Sequence, residues 1–401
     1  MLDRITRRPL SVLAGQVGPR RVWVILVGWS MGWSVLAARG GGYSWHYFAE
    51  GAHLLSNPGV NGGGLHLYAA HPDLQIGPLA LLVAVPLNVL GPTGGRLVAE
   101  LILALLGPLL LYVLLLARRR LSGASPAPFL LLGTGLLVMP VWSEVATHFT
   151  HLDDALAMGF CVLAVSAVIA RRPYLSAVLL AAAIDSKPWA AGFVVLILAL
   201  PSATRWRAGL LAALGVAGAW LPFVGADPMT LALSRFTIDN VDDSALHALG
   251  VYTANTPSWD RPAQAILGAV VAIVCVRWGR WAAVPLAVVA ARLLLDPQTY
   301  PYYSSGLLVA SAILDLLTPT RRWPLWTAAA GTWYVSNAVA GALLPPEQVG
   351  ALRVLFMVGV LVTLTLLPDP TCRPPDQRVG SRARSDPRRP GVELVSGARA
   401  R

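Results

Sequence analysis

The sequence predicts an all-α polytopic membrane protein, and three observations support that class. Hydrophobic residues make up 56% of the 401-residue chain and charged residues only 13%, a balance that water-soluble proteins of this length do not normally carry. Apolar runs recur almost from end to end. Arginines collect in alternate connections between those runs, which is typical of the cytoplasmic loops of membrane proteins.

About twelve apolar segments are predicted to cross the bilayer as helices, although several are shorter than the roughly 20 residues that an untilted crossing needs. The stretch 76–91 is broken by Pro78 and Pro86, and we expect it to be a re-entrant or interfacial segment. A full crossing there would require two other spans, such as 174–186 and 188–201, to merge. The predicted spans are residues 22–38, 97–117, 129–145, 154–170, 174–186, 188–201, 208–224, 263–276, 282–295, 303–317, 324–343 and 350–367.

The arginines predict the orientation, because cytoplasmic loops collect positive charge. In the twelve-span arrangement 24 of the 30 arginines fall on one side of the membrane, so both termini are predicted to be cytoplasmic. The predicted organisation is a basic cytoplasmic N-terminus (1–21), a polytopic transmembrane domain (22–368) with outer loops 39–75 and 225–262, and a disordered basic cytoplasmic tail (369–401). The net charge of +11 then reflects topology and contact with anionic membrane lipids, not nucleic-acid binding.

Lys187 is the only lysine in the chain, although 30 arginines are present. It lies between two apolar runs and is followed by Pro188 and Trp189. An ammonium is a compact point charge with three rotatable donors, which suits a phosphate oxygen, whereas arginine presents a planar fork. We therefore interpret Lys187 as a candidate for binding a phosphate. The alternative is a lysine that snorkels at the membrane interface.

The first outer loop mixes aromatic residues with histidines and acids. Flat rings pack on the apolar faces of a pyranose, while carboxylates and imidazoles hydrogen-bond its hydroxyls, so the pattern favours a sugar-binding cleft. The alternative is an amphipathic interfacial helix with its aromatic residues at headgroup depth. The candidate residues are Trp45, His46, Glu50, His71 and Asp73.

The histidines of this loop do not have the spacing of a zinc site. His46 and His53 are seven residues apart, but a His-x-x-x-His pair is absent and no cysteine lies nearby. Cys161, Cys275 and Cys372 are scattered, so they predict neither a disulfide framework nor a metal site. The sequence therefore predicts no resident metal, and a divalent cation is left open only at the acidic cluster that follows.

A second polar cluster lies between the predicted third and fourth spans. If this stretch is helical, His148, His151 and Asp154 share one face at spacings of three residues. Carboxylates at membrane depth are costly enough to be functional candidates, so His151, Asp153 and Asp154 are predicted to bind a sugar hydroxyl or a divalent ion. The alternative is simple capping, because acids at the start of an apolar helix suit its dipole.

Two further candidates lie late in the chain. Arg292 is near the outer end of its predicted span, just before the tyrosine-rich stretch 296–303, which includes Tyr302. Together with Lys187, Arg292 could clamp an anionic group, although snorkelling is again the alternative. The long outer loop 225–262 is the only other predicted connection large enough to cover a site.

In these features the chain resembles the type C glycosyltransferases, polytopic membrane enzymes that take a sugar from a polyprenyl phosphate on the outer face of the membrane. It is most similar to the bacterial branch of polyprenol-phosphate-mannose-dependent mannosyltransferases, over about residues 22–310. The matching features are an aromatic and acidic first loop followed by Tyr68 and His71-Pro72, then His151-Leu152-Asp153-Asp154, Lys187-Pro188-Trp189, and Asp296-Pro297 with Tyr302-Tyr303.

The resemblance implies transfer of a sugar, mannose or arabinose, from a polyprenyl-phosphate donor to a lipid or cell-envelope polysaccharide acceptor in a bacterial plasma membrane. In that family an aspartate at the start of the first outer loop is the usual base, and the matching position here is Ser44. The expected base is therefore a nearby carboxylate, Glu50 or Asp73, with Asp154 as a further catalytic candidate.

Lys187, helped by Arg292 and His151, is expected to neutralise the departing lipid phosphate as the glycosidic bond breaks. No nucleotide-binding glycine loop appears in the sequence, which agrees with a lipid-linked donor. Two other function classes stay open. One is a transporter or flippase of a lipid-linked or anionic solute, which midplane ionisable residues would favour. The other is a non-catalytic scaffold that keeps the fold, which the departure at Ser44 favours.

Overall fold

A computed structural model describes residues 19–235 and 238–366 of the chain. Within these residues there is no β-strand, and a single isolated bridge pairs Asp239 with Asn255. The predicted basic N-terminus before residue 19 and the predicted cytoplasmic tail lie outside the described residues. The principal helices are α1 (Pro19–Ala37), α2 (Trp45–Ser56), α3 (Pro78–Asn88), α4 (Gly91–Ser122), α5 (Pro128–Ser143), α6 (Leu152–Ile169), α7 (Pro173–Ser186), α8 (Ser202–Ala226), α9 (Asp260–Arg277), α10 (Val284–Leu294), α11 (Tyr303–Leu317), α12 (Leu325–Leu343) and α13 (Pro346–Leu366).

Among the described residues, six helices are long and apolar enough to cross a membrane, judged by length and composition. This architecture agrees with the all-α membrane class that the sequence predicts. Shorter apolar helices of 10–17 residues accompany them. One of these, α3, has 11 residues and extends only about 16 Å, against about 30 Å for a hydrocarbon core. The six long helices are Arg20–Gly40, Gly91–Ser122, Pro128–His148, Leu152–Ile169, Ser202–Ala226 and Pro346–Leu366.

Helix α6 lies in the interior of the bundle, where it packs against α4 and α7. Of its most apolar window, 78% is buried inside the protein, compared with 17% for α8. Small residues such as Ala155, Ala157 and Gly159 are buried on α6, and small residues allow helices in membrane proteins to approach closely. Asp153 and Asp154, in the first turn of α6, therefore enter the bundle interior.

A turn at Lys187 separates two short helices. Helix α7 ends at Ser186 because Lys187 has an extended backbone (φ −148°, ψ 113°), the conformation that a following proline favours. Pro188–Ala199 then continues as a 12-residue 3₁₀ helix. A 3₁₀ helix rises about 2.0 Å per residue, so this segment extends about 24 Å. The 14-residue α7 extends about 21 Å.

The residue that precedes α3 packs closely on the turn at Lys187. Gly77 N donates a hydrogen bond of 3.1 Å to Ser186 O. A Cβ atom at Gly77 would collide with the carbonyl oxygens of Asp185 and Ser186. Glycine is therefore required here by the close approach of two backbones, and the contact fixes the start of α3 against the end of α7.

Two arginines of the predicted cytoplasmic connections are buried and bind the carbonyl oxygens of helix ends. Arg118 Nη1 donates to Leu316 O at 2.8 Å and to Thr318 O at 2.6 Å. Arg280 Nη1 donates to Leu364 O at 2.6 Å. Carbonyls at helix C-termini lack intrahelical donors, and a nearby cation also suits the helix dipole. These arginines therefore join α4 to α11 and the α9–α10 connection to α13.

Replacing Gly77 with alanine is expected to destabilise the protein by about 1–3 kcal/mol, because the added Cβ has no room against the backbone of α7. The thermal unfolding midpoint of the purified protein in detergent measures the effect. Gly218→Ala is the matched control, since Gly218 lies within α8 and an added Cβ there meets nothing within 4 Å. Its midpoint should equal or exceed that of the wild type. Equal midpoints for Gly77→Ala and wild type would show that the contact is loose.

Candidate functional site

Lys187 forms an ion pair with Asp153, with 2.5 Å between Nζ and Oδ2. The Asp153 side chain is 0% exposed and that of Lys187 is 17% exposed. The second carboxylate oxygen of Asp153, Oδ1, lies 2.5 Å from His151 Nδ1 and accepts a hydrogen bond of 2.8 Å from Asp154 N. Both oxygens of Asp153 are therefore bound within the protein.

Asp154 has one oxygen bound and one without a hydrogen bond. Its Oδ1 accepts a hydrogen bond of 2.7 Å from Trp189 Nε1 and lies 3.5 Å from Arg292 Nη1. Its Oδ2 lies 3.2 Å from His151 Nδ1 but has no hydrogen-bond partner among the described residues. Because buried polar atoms are normally hydrogen-bonded, this oxygen offers a free acceptor to an incoming group.

Arg292 lies between two aromatic rings and beside a second carboxylate. Its Cζ is 4.6 Å from the ring centroid of Trp189 and 4.5 Å from that of Tyr303, within the range of cation–π attraction. Its Nε lies 3.4 Å from Asp296 Oδ2, but in the described structure neither atom makes a hydrogen bond. Burial raises the pKa of the Asp296 carboxyl, and Arg292 opposes that shift. Arg292 therefore has a buried N–H group available to a ligand.

Opposite charges alternate through these residues. Three carboxylates accompany two permanent cations, and His151 Nδ1 lies within hydrogen-bond distance of Asp153 Oδ1. Since isolated charges are costly to bury, the alternation accounts for their stability inside the bundle. We call this group the charge cluster, and it consists of Lys187, Asp153, His151, Asp154, Arg292 and Asp296.

Aromatic rings connect the charge cluster with the protein surface. Tyr302 stacks on His151 with 4.2 Å between ring centroids, and Tyr300 stacks on Tyr302 at 5.5 Å. Tyr302 is 8% exposed, whereas Tyr300 is 44% and Tyr43 is 64% exposed. Burial raises the pKa of Tyr302 well above its ordinary value, so its phenol stays neutral. The stacked rings form a path from the exposed Tyr300 through Tyr302 to His151.

A small cavity of about 10 Å³ adjoins Asp154. This is about the space that one water molecule needs and far below the roughly 300–1,000 Å³ of small-molecule pockets. The space therefore admits a single small polar group and not a whole lipid-linked sugar. We call it the cluster cavity. Its lining residues are Trp142, Val145, Asp154, Met158, Trp189, Arg292, Tyr302, Tyr303, Ser305 and Gly306.

The resemblance leads us to expect an aspartate at the position of Ser44. This residue lies close to the charge cluster. Its backbone N donates a hydrogen bond of 2.8 Å to Phe149 O, and Tyr43 N donates one of 3.2 Å to His148 O. These bonds hold the start of the first outer loop against the segment that leads to His151. Ser44 is 6% exposed, so a small buried side chain occupies this position, and the carboxylates closest to His151 come from α6.

Three of the predicted residues in the first outer loop are not part of the charge cluster. Glu50 and Asp73 are exposed, and no hydrogen bond or ion pair joins either to the described part of the cluster. The reason for Glu50 is the orientation of α2, whose buried face carries Trp45 and Phe48. Trp45 itself is buried, and its Nε1 donates to Pro92 O at 3.0 Å. Trp45 therefore packs inside the protein, whereas the sequence predicts that it contacts a substrate.

The two predicted histidines of this loop bind backbone carbonyls instead of reaching the charge cluster. His46 Nδ1 lies 2.7 Å from Tyr43 O, and His71 Nε2 lies 2.8 Å from Asn61 O. Both contacts are local to the loop, so these imidazoles stabilise its turns. Of the residues predicted from sequence, the structure brings together the following: Lys187, Asp153, Asp154, His151, Arg292 and Tyr302.

Trp189, Asp296 and Tyr303 belong to the site, although no role in it is predicted for them from the sequence. Trp189 donates to Asp154 and packs on Arg292, while Asp296 and Tyr303 also contact Arg292. Their signal in the sequence is the set of short motifs that carry the family resemblance, in which Trp189 follows Lys187-Pro188 and the other two residues lie in the 296–303 stretch with Tyr302.

The charge cluster includes a group of possible metal ligands. His151, Asp153 and Asp154 each offer one ligand atom, and these atoms lie within 4.8 Å of one another. A divalent ion needs carboxylate oxygens that are not already neutralised. Here the ammonium of Lys187 and the guanidinium of Arg292 contact both carboxylates. The donor set therefore fits a proton better than a divalent metal ion.

No protein-family model, curated protein or solved structure matches this chain. The geometry of the charge cluster is therefore the basis on which a function is proposed below.

Lys187→Met should destabilise the protein by about 3 kcal/mol, because it leaves the buried Asp153 carboxylate without its cation. Combining Lys187→Met with Asp153→Asn removes both charges and should recover most of the lost stability. The measurement is a double-mutant cycle, in which the unfolding free energies of the single and double variants are compared in mixed micelles. Arg172→Met is the control, since Arg172 is exposed and its loss should change stability by less than about 0.5 kcal/mol. Additive single-mutant effects would contradict the pairing.

Proposed function

We propose that this chain is a membrane glycosyltransferase, which moves a mannose-like or arabinose-like sugar from a polyprenyl phosphate to a lipid or cell-envelope glycan acceptor. One observation carries the proposal: Asp154, which has a buried carboxylate oxygen without a hydrogen bond, and Arg292 line the same cavity. A base and an anion-binding cation at one cavity are the two groups that sugar transfer from a phosphate requires.

In this proposal Asp154 Oδ2 takes the proton from the acceptor hydroxyl. The acceptor oxygen forms a bond to the anomeric carbon of the sugar, and the bond from that carbon to the phosphate oxygen breaks. The electron pair of the broken bond stays on the lipid phosphate, whose charge grows. Asp154 becomes neutral in the same step, so its attraction for Arg292 weakens and the guanidinium can turn to the phosphate.

Lys187 is a positioning residue in this mechanism. Its ammonium binds Asp153, which in turn holds His151 and the backbone N of Asp154. The sequence predicts direct contact between Lys187 and the phosphate. Because Lys187 is already paired with a fully buried carboxylate, Arg292 is the better candidate for that contact.

We further propose that the cluster faces the outer side of the membrane, with both termini cytoplasmic and the chain crossing twelve times. The cluster residues lie at one end of α6, α7, α10 and α11. Helix α11, with 15 residues, extends about 22 Å, which is shorter than a hydrocarbon core of about 30 Å. In this proposed arrangement the site is recessed into the outer leaflet, where the phosphate of a lipid donor can reach it.

A second candidate function is transport of an anionic or lipid-linked solute. The alternation of charges between α6, α7 and α10 favours it, because paired ionisable residues inside a bundle also form proton relays and solute paths in transporters. Proteoliposomes distinguish the two functions. A transporter moves the intact solute across the bilayer, whereas a transferase changes the bond between sugar and phosphate.

Asp154→Asn should lower sugar transfer by about 100-fold or more, because the amide keeps the hydrogen bond from Trp189 but cannot accept a proton. Turnover of polyprenyl-phosphate mannose and arabinose by purified protein measures the loss. Glu50→Gln and Asp73→Asn are matched amide controls and should retain turnover within about two-fold, since surface substitutions away from a site have small effects.

The opposite pattern, in which Glu50→Gln or Asp73→Asn is inactive while Asp154→Asn is active, would place the base in the first outer loop. A wild type that transfers no sugar but moves a polyprenyl-phosphate sugar across proteoliposomes would instead identify a transporter. Gain of transfer in Ser44→Asp alone would identify a scaffold that has lost its base.

A further inference from the structure

A second cavity of about 130 Å³ lies beyond Tyr303, smaller than the roughly 300–1,000 Å³ of pockets that hold a drug-sized ligand. A ligand there is therefore no larger than a single sugar residue. The stretch between α10 and α11, helix α12 and helix α13 form most of its walls. Tyr303 lines both this space and the cluster cavity, so the two spaces adjoin at this side chain. The polar and aromatic lining residues are Gln298, Thr299, Tyr300, Tyr303, Ser304, Trp333, Tyr334, Asn337 and Arg353.

Two buried polar atoms in the walls of the second cavity lack a hydrogen-bond partner in the described structure. They are Asn337 Oδ1, an acceptor, and Arg353 Nε, a donor. A ligand that satisfies both atoms must donate one hydrogen bond and accept another. A hydroxyl does both. A fully ionised phosphate accepts only, so it would leave the Asn337 oxygen unsatisfied.

The charge in the second cavity is already compensated. Arg353 Nη2 lies 3.5 Å from Asp243 Oδ2, and Thr299 Oγ1 donates to the other oxygen of Asp243 at 3.4 Å. Among the described residues that line the cavity, Arg353 is the only charged one. The cavity is therefore close to neutral, which favours an uncharged polar ligand over a lipid phosphate.

The aromatic walls are held in place by neighbours. Trp333 stacks on Phe356 with 4.6 Å between ring centroids and an angle of 8°. The Tyr334 hydroxyl donates to Glu144 Oε1 at 3.3 Å. Fixed aromatic rings offer large contact surfaces to the C–H faces of a sugar, while the neighbouring amide and guanidinium bind its hydroxyls.

The geometry points to the second cavity as a binding site for a neutral sugar residue of the acceptor. This inference rests on the proposed transfer function, because that function requires an acceptor next to the cluster cavity. The Tyr303 ring contacts Arg292 and lines both cavities, so an acceptor sugar bound in the second cavity lies next to the charge cluster. The cavity thus binds the acceptor, while the charge cluster carries out transfer.

Saturation-transfer NMR on the purified protein in detergent tests this assignment, with methyl mannopyranoside and methyl arabinofuranoside as probes. At least one probe should bind the wild type. Asn337→Leu should weaken binding by about five- to ten-fold, because it removes one hydrogen-bond partner at nearly constant volume. Ala338→Leu, which fills the cavity from its α12 wall, should abolish binding. Ser336→Ala is the control, since Ser336 is exposed and is not among the lining residues.

Absence of binding for both probes, or equal binding by wild type, Asn337→Leu and Ala338→Leu, would overturn the assignment. Displacement of the probes by inorganic phosphate would overturn the choice of a neutral ligand. Asp154→Asn should bind the probes as the wild type does, because Asp154 does not line this cavity. Probe binding by a protein that transfers no sugar would count against the transfer function alone, and transfer without probe binding would count against this site alone.

Discussion

The ion pair between Lys187 and Asp153 is the interaction on which the rest of the charge cluster depends. A carboxylate that is 0% exposed in an apolar bundle is stable only with a cation and hydrogen bonds, since the effective cost of burying an ion is several kcal/mol. Lys187 supplies the cation, and His151 and the backbone N of Asp154 supply the bonds. With Asp153 fixed, Asp154 is directed at Arg292 and has one oxygen free.

Backbone geometry places these side chains at one end of the bundle. Asp153 and Asp154 lie in the first turn of α6, while Lys187 follows the last residue of α7. The extended conformation at Lys187, which Pro188 favours, ends α7 and starts a 3₁₀ helix. Gly77 allows the start of α3 to pack against the same turn. Every cluster residue therefore lies at or just beyond a helix end, where a short change of direction brings charges from different helices together.

Much of the charge cluster could be predicted from the sequence, because ionisable residues beside apolar runs are few and costly. The sequence predicts four members of the cluster in this way, namely Lys187, Asp153, Asp154 and Arg292. It also predicts the all-α membrane class. The first outer loop was harder to interpret, since its composition does not say which face of α2 packs inward. Glu50 is on the exposed face of that helix.

The second cavity could not be predicted from the sequence, because its walls come from three segments that are far apart in the chain. Trp333, Asn337 and Arg353 lie within apolar helices and have no recognisable motif. Only the packing of α12 against α11 and α13 brings them together. Long-range packing is therefore the information that the residue pattern lacks.

The single lysine allows the central ion pair to be observed directly. Protein that contains lysine labelled with ¹⁵N at Nζ has one side-chain signal, because Lys187 is the only lysine in the chain. The protons of a paired and largely buried ammonium should exchange slowly with water, and its chemical shift should change in Asp153→Asn. A signal that exchanges as fast as that of a free lysine side chain, and that is unchanged in Asp153→Asn, would contradict the pairing on which the site depends.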